Sequence, residues 1–231
     1  MDINDLQVFI ITNERSTFPY ARRCLAEQSV KADTFEIKNM VWVDALNKMV
    51  DMCTTRYLIR CDDDFMLHRN AIEFMLKSFL KKEKEDPNII MGLFKLWEDW
   101  AHRIIGGIKI YRVDYVRELG GFKCNYRGKV DGMFTKAVDK SPYVFTGDKY
   151  SVVALHTAAP FKEQMRYAKI WSDIGDKPYT KWKPGKKTTK QMQRYKKTVE
   201  QQYEMTKTFL EDLNKEQDSK FYKFIKKRKK K

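Results

Sequence analysis

The apolar residues of this chain fall into short blocks whose period switches between the two regular patterns. Residues 6–12, Leu-Gln-Val-Phe-Ile-Ile-Thr, form a nearly continuous apolar run that predicts a central strand. Residues 18–28 then carry helical spacing, with Pro19 in the first turn, where a proline is tolerated. A second, weaker strand is predicted over 34–38, and the spacing of Val43, Leu46, Met49 and Val50 predicts a helix over 43–52. That helix leads into Tyr57-Leu58-Ile59, a short buried strand. Beyond it, Ile72, Met75, Leu76 and Phe79 share one face of a helix over 68–79, followed by a charged loop at 81–86 and Pro87. A strand is predicted over 88–96, an aromatic-acidic loop at Trp97-Glu98-Asp99-Trp100, and one or two strands over 103–112 around Gly106-Gly107. A short helix at 113–119 ends in Gly120-Gly121, a helix C-cap signal. Another helix is predicted over 131–140, and a last strand over 150–155 with His156 at its end. Strands alternating with helices predict an α/β fold with a mixed, mostly parallel sheet.

The pattern changes after residue 175. Residues 175–185 are rich in turn formers and read as a connector. One long helix is predicted over 188–214, with a stripe at Met192, Tyr195, Val199, Phe209 and Leu213 able to pack back on the core. A polar break at 216–220 precedes a tail that interleaves aromatics with bases. The expected division is an α/β domain over 1–175 and a basic helical extension over 176–231.

Charge sharpens that division. The 231 residues carry a net +15, yet residues 177–231 alone hold 19 Lys and Arg against 6 Asp and Glu, so the first part is close to neutral. A hydrophobic content of 42% suffices for a real core. No apolar run approaches the roughly 20 residues of a membrane span. The acidic N-terminus shows no signal-peptide pattern, so a bacterial or virus-infected host cytosol is the expected compartment, with a peripheral membrane location as the variant. The four cysteines form no Cys-x-x-Cys pair and are expected to be reduced.

Candidate chemistry centres on Asp62-Asp63-Asp64, three carboxylates at the end of a buried apolar run. Adjacent acids repel, and a divalent cation with a taste for hard oxygen ligands is one compensation. A solvated turn capping the next helix through Asp64 is the other. Taken in order, the chain offers a first strand with a polar loop, a strand ending in three acids, Leu119-Gly120-Gly121-Phe122 followed by Asp131, and a strand ending in His156. This set resembles the GT-A glycosyltransferases, especially the family 2-like enzymes with their DXD metal motif, over roughly residues 6–165. Residues 45–64 look like that family's helix–strand–DXD unit, and residues 108–122 like its acceptor-side helix and Gly-Gly-Phe turn. Where the family usually carries Glu-Asp, this chain has Val130-Asp131.

The resemblance implies metal-dependent transfer of a sugar from a nucleoside diphosphate sugar to a hydroxyl, with inversion. Asp62, Asp64 and His156 would hold Mn²⁺ or Mg²⁺, and Asp131 would be the general base. Thr12, Asn13, Glu14, Arg15, Asp62 and Asp63 would contact the donor, Lys162 and Arg166 would close over its diphosphate, and Trp97, Glu98 and Asp99 would line the acceptor side. Each residue also has a plainer role: Asp131 as a helix cap, Lys162 and Arg166 as a solvated face, Trp97 as core.

The basic extension calls for a polyanionic partner. One reading is nucleic acid, with lysines on phosphates and Trp182, Tyr195, Tyr222 or Phe224 stacking on bases. The acceptor would then be a hydroxymethylated base in DNA, as for some phage enzymes of this broad class, exposed or flipped out. Another is an anionic membrane surface, with Phe221, Phe224 and Ile225 in the headgroup region and a lipid-linked or surface polysaccharide as product. A third is a non-catalytic nucleic-acid-binding protein with a structural acid cluster. A nucleotidyltransferase, releasing pyrophosphate instead of nucleoside diphosphate, is the nearest enzymatic rival.

Overall fold

The computed structural model describes residues 3–123, 144–146, 150–173 and 185–231. The expected helix at 131–140, the candidate base Asp131, Trp182 and Cys124 lie outside the described residues. The first half follows the pattern. Strand β1 (Leu6–Thr12), helix α1 (Phe18–Ala26), strand β2 (Asp33–Lys38), helix α2 (Trp42–Met52) and strand β3 (Tyr57–Asp62) succeed one another. Both β2 and β3 pair parallel with β1. Side chains alternate across a strand, so Val8 and Ile10 enter one apolar layer while Phe9 and Ile11 enter the other.

Strand β4 (Phe65–Leu67), which the periodicity missed, comes next. Its three residues are fully buried, too short to show a period of their own. Helix α3 (Ala71–Glu85) runs a turn and a half past Phe79, through the stretch expected to be a charged loop. Lysine and glutamate are good helix formers, and the Lys82–Glu85 pair at 3.0 Å supports that last turn. Strands β5 (Met91–Glu98) and β6 (Arg103–Arg112) form one long antiparallel ribbon with a bulge between Phe94 and Lys95, joined by a 3₁₀ turn at Asp99–Ala101. Helix α4 (Val113–Glu118) ends at Gly120 and Gly121, whose φ values of 76° and 74° are left-handed. There Asn47 of α2 accepts from the Phe122 N–H at 2.8 Å and donates to its carbonyl at 3.0 Å, which fixes the Gly-Gly-Phe turn.

Strands β7 (Val144–Thr146) and β8 (Val152–His156) both pair parallel with β5. The sheet order is β2-β1-β3-β6-β5-β8-β4, with β7 beside β5. It is mixed, with the β3–β6, β5–β6 and β4–β8 pairs antiparallel.

The rest is helical: α5 (Phe161–Asp173), α6 (Lys186–Arg194), α7 (Val199–Glu216) and α8 (Lys220–Lys229). The single helix expected over 188–214 is two. Thr198 and Gln201 form a capping box that starts α7 afresh. The extension packs into the sheet's core: Tyr203, Phe221 and Ile225 join the same apolar cluster as β1, α1 and α3, and Leu210 is fully buried. Asn214 of α7 bonds both the N–H and the carbonyl of Val152 in β8, at 2.8 and 2.7 Å. Two roles expected of the tail are corrected by this packing. Phe221 and Ile225 are core residues with no face left for lipid, and Phe224 stacks on Phe221 and meets Phe74 edge-on instead of offering itself to a base. Cys24, Cys53 and Cys61 are free and buried.

His68 sits where these layers meet, its ring edge-on to Phe221 at 5.0 Å and its Nδ1 accepting from the Asn70 N–H. Burial, with Arg69 and Lys229 nearby, pushes the imidazole down to about 4. The unfolded chain therefore takes up its proton first as pH falls below the ordinary 6.5, and stability falls until about pH 4, by roughly 3 kcal/mol at most. Urea midpoints measured between pH 7 and 4 are expected to fall less steeply in His68→Asn, whose side-chain oxygen can still accept from Asn70. Equal slopes would remove His68 from the account.

Candidate functional site

The three aspartates divide at the end of β3. Asp62 is the last residue of the strand and shares a face with Arg60, whose Nη2 donates to it at 3.3 Å. The Arg60 guanidinium in turn lies over the Trp42 ring at 5.1 Å. Asp63 is buried and accepts from Thr12 Oγ1 at 2.7 Å, from Arg15 Nε at 2.7 Å and from Arg15 Nη2. Asp64 accepts from Arg15 Nη1 at 2.8 Å and lies 3.4 Å from His156 Nε2. The pairing of β4 with β8 makes that last approach. Phe65 stands opposite His156, and Thr157 donates through its N–H and Oγ1 to the Asp64 carbonyl at 2.8 and 2.7 Å. Carboxylate and imidazole, 92 positions apart in sequence, are thereby fixed side by side.

Sequence reasoning placed Glu98 on the acceptor side, but the structure sets it behind His156. Glu98 Oε1 is 2.9 Å from Nδ1, and Oε2 accepts from Arg103 Nε. With Nδ1 donating to Glu98, Nε2 is the nitrogen presented to Asp64. No sequence signal pointed there; the β5–β8 register, which pairs Glu98 with His156, brings them together. Burial by itself would push the His156 imidazole down, but Asp64 and Glu98 outweigh it and bring it up to about 10. Burial likewise opposes ionisation of Asp64, yet Arg15 and His156 hold it well below the usual carboxylate range. The result is a ladder of alternating charge: Arg15, Asp64, His156, Glu98, Arg103.

The loop after β1 delivers Arg15. Glu14 takes a left-handed φ of 59°, its N–H donating to Thr12 Oγ1 at 2.7 Å and its carbonyl accepting from Tyr167 at 3.1 Å. Ser16 is tied through its N–H and hydroxyl to Glu163. Helix α5 thus docks on this loop through Glu163 and Tyr167, two residues not singled out from the sequence. Lys162 and Arg166 are exposed beside them, while Asn13 is half-buried and the Glu14 carboxylate points away, 3.3 Å from Lys38. On the other flank, Asp99 accepts from Trp97 at 3.2 Å, Tyr195 at 2.8 Å and Lys197 at 2.6 Å, so the α6–α7 joint closes against the β5–β6 turn. Tyr195, expected as a stacking platform, is used there.

The donor set suits a divalent metal in one specific way. Among the described residues no group of three or more acidic, histidine or cysteine side chains is placed to hold a metal by itself. Asp64 and His156 are two donors, and Glu98 behind the imidazole is the orienting carboxylate that metal-ligating histidines commonly have. Ions such as Mg²⁺ bind through one or two side chains and complete their shell with substrate phosphates and water. Asp64 and His156 fit that arrangement.

No protein-family model matches the sequence, and no curated protein matches it. Among solved structures the chain is similar to the mannosyltransferase PcManGT from Pyrobaculum calidifontis in complex with GDP-Man and Mn²⁺, at 12% identity, TM-score 0.52, over 90% of this chain and 73% of that one. It is also similar to residues 1–349 of S. aureus TarS in complex with UDP-GlcNAc, at 11% identity, TM-score 0.53, over 81% of this chain and 70% of that one. The TarS complex with UDP matches at a TM-score of 0.52. The fold is GT-A-like, the Rossmann-like fold of nucleotide-sugar glycosyltransferases, with a helical C-terminal part.

Proposed function

We propose that this chain is a metal-dependent glycosyltransferase that moves a sugar from a nucleoside diphosphate sugar to a hydroxyl acceptor. The observation that carries the reading is the Asp64–His156–Glu98 constellation at the end of β3 in a GT-A-like fold. Bound against Asp64 and His156, Mn²⁺ or Mg²⁺ would supply Lewis acidity to the leaving diphosphate. Glu98 keeps Nδ1 protonated and Nε2 forward. Thr12 and Asp63 hold the loop that carries Arg15, and Arg15 offers a planar fork that suits phosphate as well as carboxylate. Asn13 and the Glu14 backbone line the same loop as nucleoside contacts, and Asp62, held by Arg60, would meet the ion through water. Lys162 and Arg166 stand on α5 above it, free to meet the diphosphate. Asp131 takes the proton from the acceptor hydroxyl, which attacks the anomeric carbon in line and inverts it.

The acceptor belongs with the basic surface. The apolar side of α8 is buried, so Lys220, Lys223, Lys226, Lys227, Lys229, Lys230 and Lys231 are presented without an exposed apolar partner. Lysines without an insertable face favour electrostatic docking on a phosphate backbone over burial in a bilayer, which supports a modified base in nucleic acid as acceptor over a lipid-linked one. No helix among the described residues is long and apolar enough to cross a membrane.

Thermal unfolding with GDP-mannose and UDP-GlcNAc, each with and without Mn²⁺, tests the donor reading. A cognate donor at about 100 times its dissociation constant is expected to stabilise the protein by about 2.7 kcal/mol. No shift from these or other nucleotide sugars, alongside salt-sensitive DNA binding, would leave the non-catalytic binder instead.

A further inference from the structure

We infer that Arg15 is a place-holding cation: it occupies the carboxylates that a metal would use and hands them over when a diphosphate arrives. The inference rests on the donor reading for the second half of that exchange and on geometry for the first. The guanidinium uses its whole fork on two adjacent acids, Nε and Nη2 on Asp63 and Nη1 on the Asp64 oxygen, Oδ2, that also faces His156. A metal taken up by Asp64 and His156 needs that same oxygen. One carboxylate oxygen does not serve a guanidinium and a divalent cation together without placing two cations in contact, a repulsion that burial enlarges. Arg15 and the metal are therefore alternatives at Asp64.

The loop is built to keep the arginine available and close. Asp63 stays anchored by Thr12 when the guanidinium leaves. Glu14, at a left-handed φ of 59°, turns the chain so that Arg15 points back at the acids, and Ser16 and the Glu14 carbonyl are fixed to α5. The side chain is thus the part that can swing while its backbone holds. A phosphate offers the same bidentate acceptor geometry as a carboxylate, so a nucleoside diphosphate can draw Arg15 off Asp64 and open the oxygen to the ion. The site would then accept metal with its substrate and resist free metal without it.

The test reads two affinities that move in opposite directions. Wild type and Arg15→Met are titrated with Mn²⁺ alone, following the free ion by electron paramagnetic resonance, and with UDP and GDP in EDTA by calorimetry. Arg15→Met is expected to bind Mn²⁺ at least tenfold more tightly, and UDP or GDP at least tenfold more weakly, than wild type. Asp64→Asn in the Arg15→Met background is expected to cancel the gain in Mn²⁺ binding. An arginine with a merely structural role would weaken both ligands when removed. If Arg15→Met does not fold, Arg15→Lys carries the test, because one ammonium cannot span both acids as a fork does, and the same opposed shifts are expected at smaller size. Mn²⁺ bound equally or more weakly by the variants, or by neither protein, overturns the inference. If neither UDP nor GDP binds wild type, the donor reading fails separately, and the metal arm still decides the role of Arg15.

Discussion

An Asp64→Asn variant is expected to retain no more than about one hundredth of the wild-type kcat/KM for release of nucleoside diphosphate from its donor sugar, a loss of about 3 kcal/mol in transition-state stabilisation. The substitution is nearly isosteric and leaves the Asp64 carbonyl, which Thr157 holds, untouched. What it removes is the negative charge between Arg15 and His156, and with it a hard oxygen for the metal. His156 then loses the carboxylate that most raises its pKa, although Glu98 remains. Two companions give the result its meaning. Glu98→Gln keeps a side chain that can meet Nδ1 but not its charge, and loss of an orienting carboxylate commonly costs 10- to 100-fold. Asp62→Asn is expected to cost less than Asp64→Asn, because Asp62 shares a strand face with Arg60, whose guanidinium lies over Trp42 of α2, instead of facing the imidazole. An Asp64→Asn protein that folds and keeps a tenth or more of the activity would refute the site, and an Asp62→Asn loss equal to that of Asp64→Asn would place both carboxylates on the ion.

How far these roles were legible depended on whether the cause was local. Strand β1 and helix α2 announce themselves, because a buried strand is a run and an amphipathic helix is a period. The Gly120-Gly121 stop is equally local, since left-handed φ values demand glycine. The three acids at the end of β3 and the histidine at the end of β8 were each visible for the same reason. Their meeting was expected only through the family resemblance and no local pattern shows it, because it depends on β4, a three-residue strand with no period, and on which neighbour it pairs with. Glu98 was misplaced by the same limit: the sequence says that it follows a strand, and only the β5–β8 register says what stands beside it. Arg15 was rightly placed in the loop after β1, but its grip on Asp63 and Asp64 is a contact across β1 and β3 that no spacing encodes. The tail misled for a compositional reason. Its lysines outnumber its apolar residues, so charge dominated the reading, yet two aromatics and an isoleucine at helical spacing were enough to bury one side of α8.

That burial carries the second large effect. Phe221→Ala is expected to lower the free energy of unfolding by about 3–5 kcal/mol, the usual cost of emptying a buried phenylalanine site. Phe221 is completely buried, 5.0 Å from the Phe74 ring and 5.0 Å from His68, so its neighbours cannot collapse into the gap without moving α3 or the loop before it. Removing residues 220–231 goes further, because Ile225 leaves with it and Arg228 no longer bonds Asn70 and Glu73. A protein with ordinary stability of 5–15 kcal/mol has little margin for that. The exposed lysines give the contrast: changing Lys226, Lys227, Lys230 and Lys231 together to Gln is expected to move the urea midpoint only slightly, since exposed charges contribute little to stability. The same four-residue change is expected to weaken binding to DNA and flatten its salt dependence, because each lost phosphate contact removes about one unit of slope. Charge and apolar side are thereby read separately on one helix. A truncated chain with an unchanged midpoint would mean that α8 rests on the core without contributing to it, and an unchanged salt slope in the four-lysine variant would take the polyanion off this face.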